Sequence, residues 1–249
     1  MYSQGLVNGM LSQWEGNLMK VVKFIAVNLF VIGLSACGGS GGSSDTGGST
    51  ASYELEFTTN WSAGNFSTNF PTNRHFSGLI GLTHNSKVKI FEEGVLASDG
   101  IVSVAETGSK NLLRNEIGDL QNQGDSGATI DGSGIPEGST SVTATFEVSQ
   151  DHPLVSIVTM LAPSPDWFTG VNSLPLYVDG EWVEEIEVQL ISYDAGSDSG
   201  LTFSSGNSAT TPRGNITKLT TDRSDTDFEN GVHFSTSLTI GTFKFKKIN

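Results

Sequence analysis

Residues 53–61 read Tyr-Glu-Leu-Glu-Phe-Thr-Thr-Asn-Trp. Tyr53, Leu55, Phe57 and Trp61 fall on one side of an extended chain, and Glu54 and Glu56 on the other. Side chains alternate across a strand with period two, so this stretch predicts a half-buried β-strand. Val142, Ala144, Phe146 and Val148 repeat the alternation, and so do residues 185–191. Residues 154–161 are almost continuously apolar, the pattern of a strand covered on both faces. Near the C-terminus Leu238 and Ile240 are followed by Phe243 and Phe245, a strand whose phase shifts at Gly241, as at a bulge.

Helical periodicity is sparse. Residues 100–106 and 109–120 each predict a short helix, the second with Leu112, Leu113 and Ile117 facing inward. Residues 121–139 and 204–231 are Gly-rich and polar and read as long surface loops. Many short strands between Gly/Asn/Asp turns predict a mainly β fold: an antiparallel β-sandwich with one or two short helices and long loops. The chain has no internal repeat, and residues 52–249 are expected to form one domain.

The N-terminal region has a different character. Residues 1–18 read as an upstream extension, with Met19 as the true start. Lys20 and Lys23 precede an apolar run over 24–34, too short to span a bilayer, so residues 19–36 describe a signal peptide. The run closes on Leu34-Ser35-Ala36-Cys37, which resembles the lipobox of bacterial lipoproteins. That resemblance implies cleavage before Cys37 and lipidation of this cysteine, the only one in the chain. The partner implied is a membrane. Gly38, and not Asp, follows the cysteine, which by the same resemblance points to the outer membrane or cell surface. Residues 37–51 then form a Gly/Ser linker, which reaches on the order of 20 Å.

Charge narrows the partners. The net charge is −14, and loss of residues 1–36 removes Lys20, Lys23 and Glu15 to leave −15. Lys244, Lys246 and Lys247 form the only basic cluster. Such a surface repels nucleic acid and attracts cations.

Three aspartates carry the candidate chemistry. Asp166 lies in Pro163-Ser-Pro-Asp-Trp-Phe168, and Asp194 and Asp198 lie in Tyr193-Asp-Ala-Gly-Ser-Asp-Ser-Gly200. Each stands where an apolar run meets a Pro- or Gly-rich turn. Calcium takes six to eight oxygen ligands in flexible geometry, and short carboxylates on tight turns supply them. Crowded carboxylates raise one another's pKa, which a cation relieves. Spacing alone serves turn-capping aspartates equally well. An EF-hand is excluded, because counting from Asp194 puts Gly196 at the third position and Ser205 at the twelfth. Asp222, Asp225 and Asp227 read as a solvated loop. His75 and His84 lack zinc-site spacing, Ser77 and Ser164 lack the Gly-x-Ser-x-Gly elbow, and nothing marks Asp166 with Glu106 as a glycosidase pair. No catalytic residue is expected.

The same stretches carry a family resemblance. Pro163-Ser-Pro-Asp-Trp-Phe-Thr-Gly-Val171 and Tyr193-Asp-Ala-Gly-Ser-Asp-Ser-Gly-Leu-Thr-Phe203 resemble the N-terminal domain of the spondins. His75-Phe-Ser-Gly-Leu-Ile-Gly-Leu-Thr-His-Asn85, Ala97-Ser-Asp-Gly100, Ala105-Glu-Thr-Gly108 and Val155-Ser-Ile-Val-Thr-Met160 support it in order, over roughly residues 52–220. The resemblance implies a β-sandwich with one calcium ion held at Asp166, Asp194 and Asp198. It also implies adhesion or extracellular matrix binding without catalysis. Tyr177 stands about where animal members carry a cysteine. The alternative is a carbohydrate-binding module. Trp61 and Trp182 read as core anchors, and Trp167 is expected to be partly exposed and available for ligand contact.

Overall fold

A computed structural model describes residues 48–66, 69–219 and 239–249. In chain order its elements are β1 (Thr50–Thr59), β2 (His75–Phe76), β3 (Ile80–His84), α1 (Asp99–Thr107), α2 (Asn111–Asn122), β4 (Ser126–Asp131) and β5 (Ser141–Ser149). There follow β6 (Leu154–Ala162), β7 (Trp167–Pro175), β8 (Tyr177–Val178), β9 (Glu181–Trp182), β10 (Glu185–Leu190), β11 (Ser192–Asp194), β12 (Thr217–Lys218) and β13 (Gly241–Lys247). One sheet has the order β10-β13-β1-β5. The other runs β12-β11-β7-β6-β3-β4, with β2 also paired to β6, and β8-β9 is a small hairpin. The pairings are antiparallel, as the alternating patterns predict.

Two apolar layers hold the fold. Between the sheets, Tyr53, Leu55 and Phe57 of β1 and Phe243 and Phe245 of β13 meet Val155, Ile157, Leu161 and Val171 of β6 and β7. On the far face of the larger sheet, Ile80, Leu82, Val158 and Phe168 pack beneath Ile101, Val104, Ala105, Leu113 and Ile117 of the helices. β6 therefore contributes to both layers, which is why its sequence is continuously apolar. Each large side chain buried in this way contributes about 1.5–3 kcal/mol.

The helices follow their local signals. Ser98 caps α1, its hydroxyl accepting from the Ile101 N–H at 3.2 Å, and Gly108 ends it in the left-handed region at φ 69°. Glu116 of α2 accepts from the Gly100 N–H and the Ser98 hydroxyl, both at 2.7 Å, which ties the two helices at that cap.

Five expectations are corrected. Leu112 is 47% exposed, because Leu113, Ile117 and Leu120 take the packed side of α2. β4 passes through the stretch read as loop 121–139. Pairing with β3 and the burial of Ile130 recruit a segment with almost no apolar pattern of its own. Residues 204–216 are largely irregular, as expected, but Thr217 and Lys218 pair with β11. Gly241 begins β13 and does not bulge it, since the register with β1 runs unbroken from Thr59↔Gly241 to Tyr53↔Lys247. β1 also takes in Thr50 and Ala51, assigned by sequence to the linker.

The turns carrying the aspartates are placed by this topology. The chain leaves the smaller sheet after β10 and crosses at Ile191 into the larger one. There β11 pairs with β7 in the register Asp194↔Trp167. Asp166, one residue before Trp167, is thereby brought to the same rim as Asp194. Among the described residues no helix is long and apolar enough to cross a membrane.

Candidate metal centre

Asp166 is fully buried at the start of β7. Its Oδ2 accepts three hydrogen bonds, from the Ser197 N–H at 2.7 Å, the Ser197 hydroxyl at 3.2 Å and the Asp198 N–H at 3.0 Å. Its backbone carbonyl accepts from the Ala195 N–H at 3.1 Å. Its Oδ1 is buried and has no hydrogen-bond partner. An unmade hydrogen bond on a buried charged oxygen is costly. Burial, reinforced by the nearby Asp194 charge, pushes the carboxyl up to about 7, against the pull of the Asp198 and Ser197 hydrogen bonds.

Asp194 closes a tight turn, its Oδ1 accepting from the Gly196 N–H at 2.7 Å. Gly196 lies at φ 74°, and a Cβ there would stand 2.4 Å from the Gly214 carbonyl oxygen, so the position requires glycine. Asp198 repeats the turn, with Oδ1 accepting from the Gly200 N–H at 2.6 Å. Its Oδ2 accepts from the Ser208 N–H at 2.7 Å, pinning the return of the loop.

The structure thus brings Asp166 and Asp194 to one rim, while Asp198 meets Asp166 through its backbone N–H and turns its carboxylate to the loop. As placed, no three His, Cys, Asp or Glu side chains among the described residues stand close enough to hold a metal by themselves. The donor chemistry nonetheless fits a hard cation. A carboxylate offers about four lone-pair sites, each N–H bond occupies one, and Asp166 Oδ1 has no protein donor. Ser197, buried and donating twice to Asp166, is a residue that the sequence pattern does not single out. Its role depends on the fold of the turn, which its residue type does not announce.

Trp167 is a correction. It is fully buried, because the β7 pleat turns its ring into the sandwich and gives the opposite face to Phe168. Phe203 of the loop that follows Asp198 packs between Trp61 and Trp167, with ring centroids 5.3 and 5.2 Å away. Trp167 therefore anchors the loop to the core and offers no surface to a sugar ring. Trp61 is buried as expected, and Trp182 is half-buried against Tyr177 at 4.8 Å. His84 is a buried core residue, with Nε2 on the Ser156 hydroxyl at 2.7 Å and Nδ1 on the Asn85 carbonyl at 2.8 Å. Cys37, the signal segment before it, and Asp222, Asp225 and Asp227 lie outside the described residues.

Comparison with known proteins covers most of this domain. Residues 51–236 match the family model described as Spondin_N. Spondin-2 of Rattus norvegicus is 37% identical over 174 residues, which is 68% of this chain and 53% of that protein. Spondin-2 of Homo sapiens matches to the same extent. Spondin-1 of Gallus gallus is 36% identical over 180 residues, 69% of this chain and 22% of that protein. The chain spans about half the length of the Spondin-2 relatives it matches, and less of Spondin-1.

Proposed function

The chain belongs to the Spondin_N family, and from that premise we propose that its domain is a calcium-stabilised adhesion module. It binds an extracellular matrix protein or a glycan and has no catalytic role. A lipid on Cys37 anchors it to the bacterial cell envelope, at the outer membrane or cell surface, with residues 38–49 as tether.

One observation supports the calcium reading above the rest: a fully buried carboxylate, Asp166, with an unpartnered oxygen and Asp194 beside it. Asp166 and Asp194 would hold the ion, and Asp198 would join through a lone pair left over from its bonds to Gly200 and Ser208. A bound calcium ion supplies the positive charge that keeps Asp166 ionised. The protein's own part is to fasten the 163–166 turn to the 195–214 loop, with Phe203 as the apolar peg. That loop lies at the rim of the sandwich, where sandwich domains present their binding loops.

Calcium titration by calorimetry, with a parallel melting series, tests this reading. A dissociation constant on the order of 10⁻⁴–10⁻³ M is expected, the range of extracellular modules. At ten times Kd the stabilisation is about 1.4 kcal/mol. Magnesium should do less, since it demands stricter octahedral geometry. Asp194→Asn should abolish the calcium response, and a variant that keeps it would sink the site.

A further inference from the structure

The outer strand of a sheet exposes a row of N–H and C=O groups, and proteins guard such edges with shortness, charge, proline, bulges or cover. The outer strands of the two main sheets are β10 and β5, β12 and β4. Three of these are guarded. β12 is two residues long. β10 carries exposed Glu185 and Glu187 among its six residues. β4 is overlaid from α2 by Gln121, whose amide donates to the Gly127 carbonyl at 2.7 Å and the Thr129 hydroxyl at 3.1 Å.

Among the described residues β5 has none of these devices along its outer edge. Its nine residues, Ser-Val-Thr-Ala-Thr-Phe-Glu-Val-Ser, hold one charge and no proline. Its pairing with β1 runs without a register shift from Thr50↔Ser149 to Thr58↔Ser141. The direction of its backbone groups follows from the neighbours. The Thr59 N–H donates to the Thr140 carbonyl, whereas Ser52 bonds to Asn249 and Ile248 on the other side of β1. Odd-numbered residues of β1 therefore face β5, and through the register Val142, Ala144 and Phe146 bond back to β1. Ser141, Thr143, Thr145 and Glu147 point their N–H and C=O groups outward, and all four residues are exposed. Among the described residues no backbone partner reaches these four from that side. Val142 and Ala144, on the core-facing side of the strand, are only partly buried, so an added strand would cover them too.

We propose that β5 is a self-association edge: two copies pair β5 to β5, antiparallel about Ala144, and join their smaller sheets into one across a twofold axis. In that register Thr143 pairs with Thr145 of the second copy and Ser141 with Glu147, so each open N–H and C=O finds a partner. Glu147 never faces its own copy, and Val142 lies opposite Phe146, an apolar pair. A shift to pairing about Thr145 would call on Ser149, whose carbonyl already accepts from the His152 N–H at 3.0 Å. The self-complementarity of the strand, and not charge, is the basis of the contact. With a net charge of −14 on each chain, two copies repel at a distance, so salt should strengthen the dimer.

Sedimentation equilibrium of the full chain carrying Cys37→Ser, at about 0.05 and 0.5 M salt, spanning Debye lengths of roughly 14 to 4 Å, tests this. A reversible monomer–dimer equilibrium is expected, tighter at high salt. T143K/T145K sets lysine opposite lysine and should weaken it at least tenfold. In the unmodified strand, amide exchange at Thr143 and Thr145 should slow as protein concentration rises, while exchange along β10 stays constant. A chain monomeric to about 0.5 mM in high salt, a dimer that survives T143K/T145K in a folded variant, or exchange at Thr143 and Thr145 independent of concentration overturns the proposal.

Discussion

Replacing Asp166 with asparagine should stabilise the metal-free protein at high pH and leave it unimproved at low pH. In the native state the Asp166 carboxyl is pushed up to about 7 from an ordinary value near 3.8, by burial and by Asp194. Between those values the folded protein holds a proton that the unfolded chain has released. Stability therefore falls as pH rises through this window, and the full penalty stands above pH 7. At about 1.36 kcal/mol per pH unit, the three-odd units amount to about 4 kcal/mol. The shift is already net of the three hydrogen bonds to Oδ2, which favour the ionised form. Asparagine keeps an oxygen for those donors and carries no charge. For a chain of this size 1 kcal/mol moves the melting temperature by about 2–4 °C, so the gain at pH 8 is on the order of 8–16 °C. His84 works in the opposite direction. Burial lowers its pKa, so the unfolded chain gains a proton first as pH falls below about 6.5, and stability drops. It titrates alike in both proteins, and the difference between them isolates Asp166. Melting by differential scanning calorimetry at pH 4.5 and pH 8, with a calcium chelator and with calcium, reads the effect. Calcium should raise wild type and not the variant. An Asp166→Asn protein less stable than wild type at pH 8 in chelator would refute the reasoning.

Two further outcomes follow from named contacts. Phe203→Ala removes the ring between Trp61 and Trp167 and should cost about 3–5 kcal/mol in urea unfolding; on the proposed calcium reading it should also weaken calcium binding, because the 195–214 loop loses its apolar peg. Detergent-phase partitioning should separate the wild-type chain from Cys37→Ser, the former entering the detergent phase; equal partitioning into water would end the lipid-anchor reading.

Much of this protein is legible along the chain, because alternation and helical periodicity are local. Tyr53, Leu55 and Phe57 declare one buried face of β1, and the unbroken apolar run of β6 declares a strand with a layer on either side. Ser98 and Gly108 mark the ends of α1 by residue type. The two aspartate turns are legible for the same reason, since Asp and Gly hold tight turns by local hydrogen bonds. What the sequence leaves open is how residues distant along the chain meet. β4 exists because β3 offers it a ladder and α2 a cover, although its own residues carry almost no pattern. Trp167 stands beside a proline turn that suggests the surface, yet the register of β7 against β11 turns its ring into the core. Only that register sets Asp166 beside Asp194, and only the fold of the loop turns the Asp198 carboxylate toward Ser208. A pattern of residue types fixes which face of an element is apolar, but burial and the approach of charges depend on partners supplied by other strands. Those partners exist only once the sheets have formed.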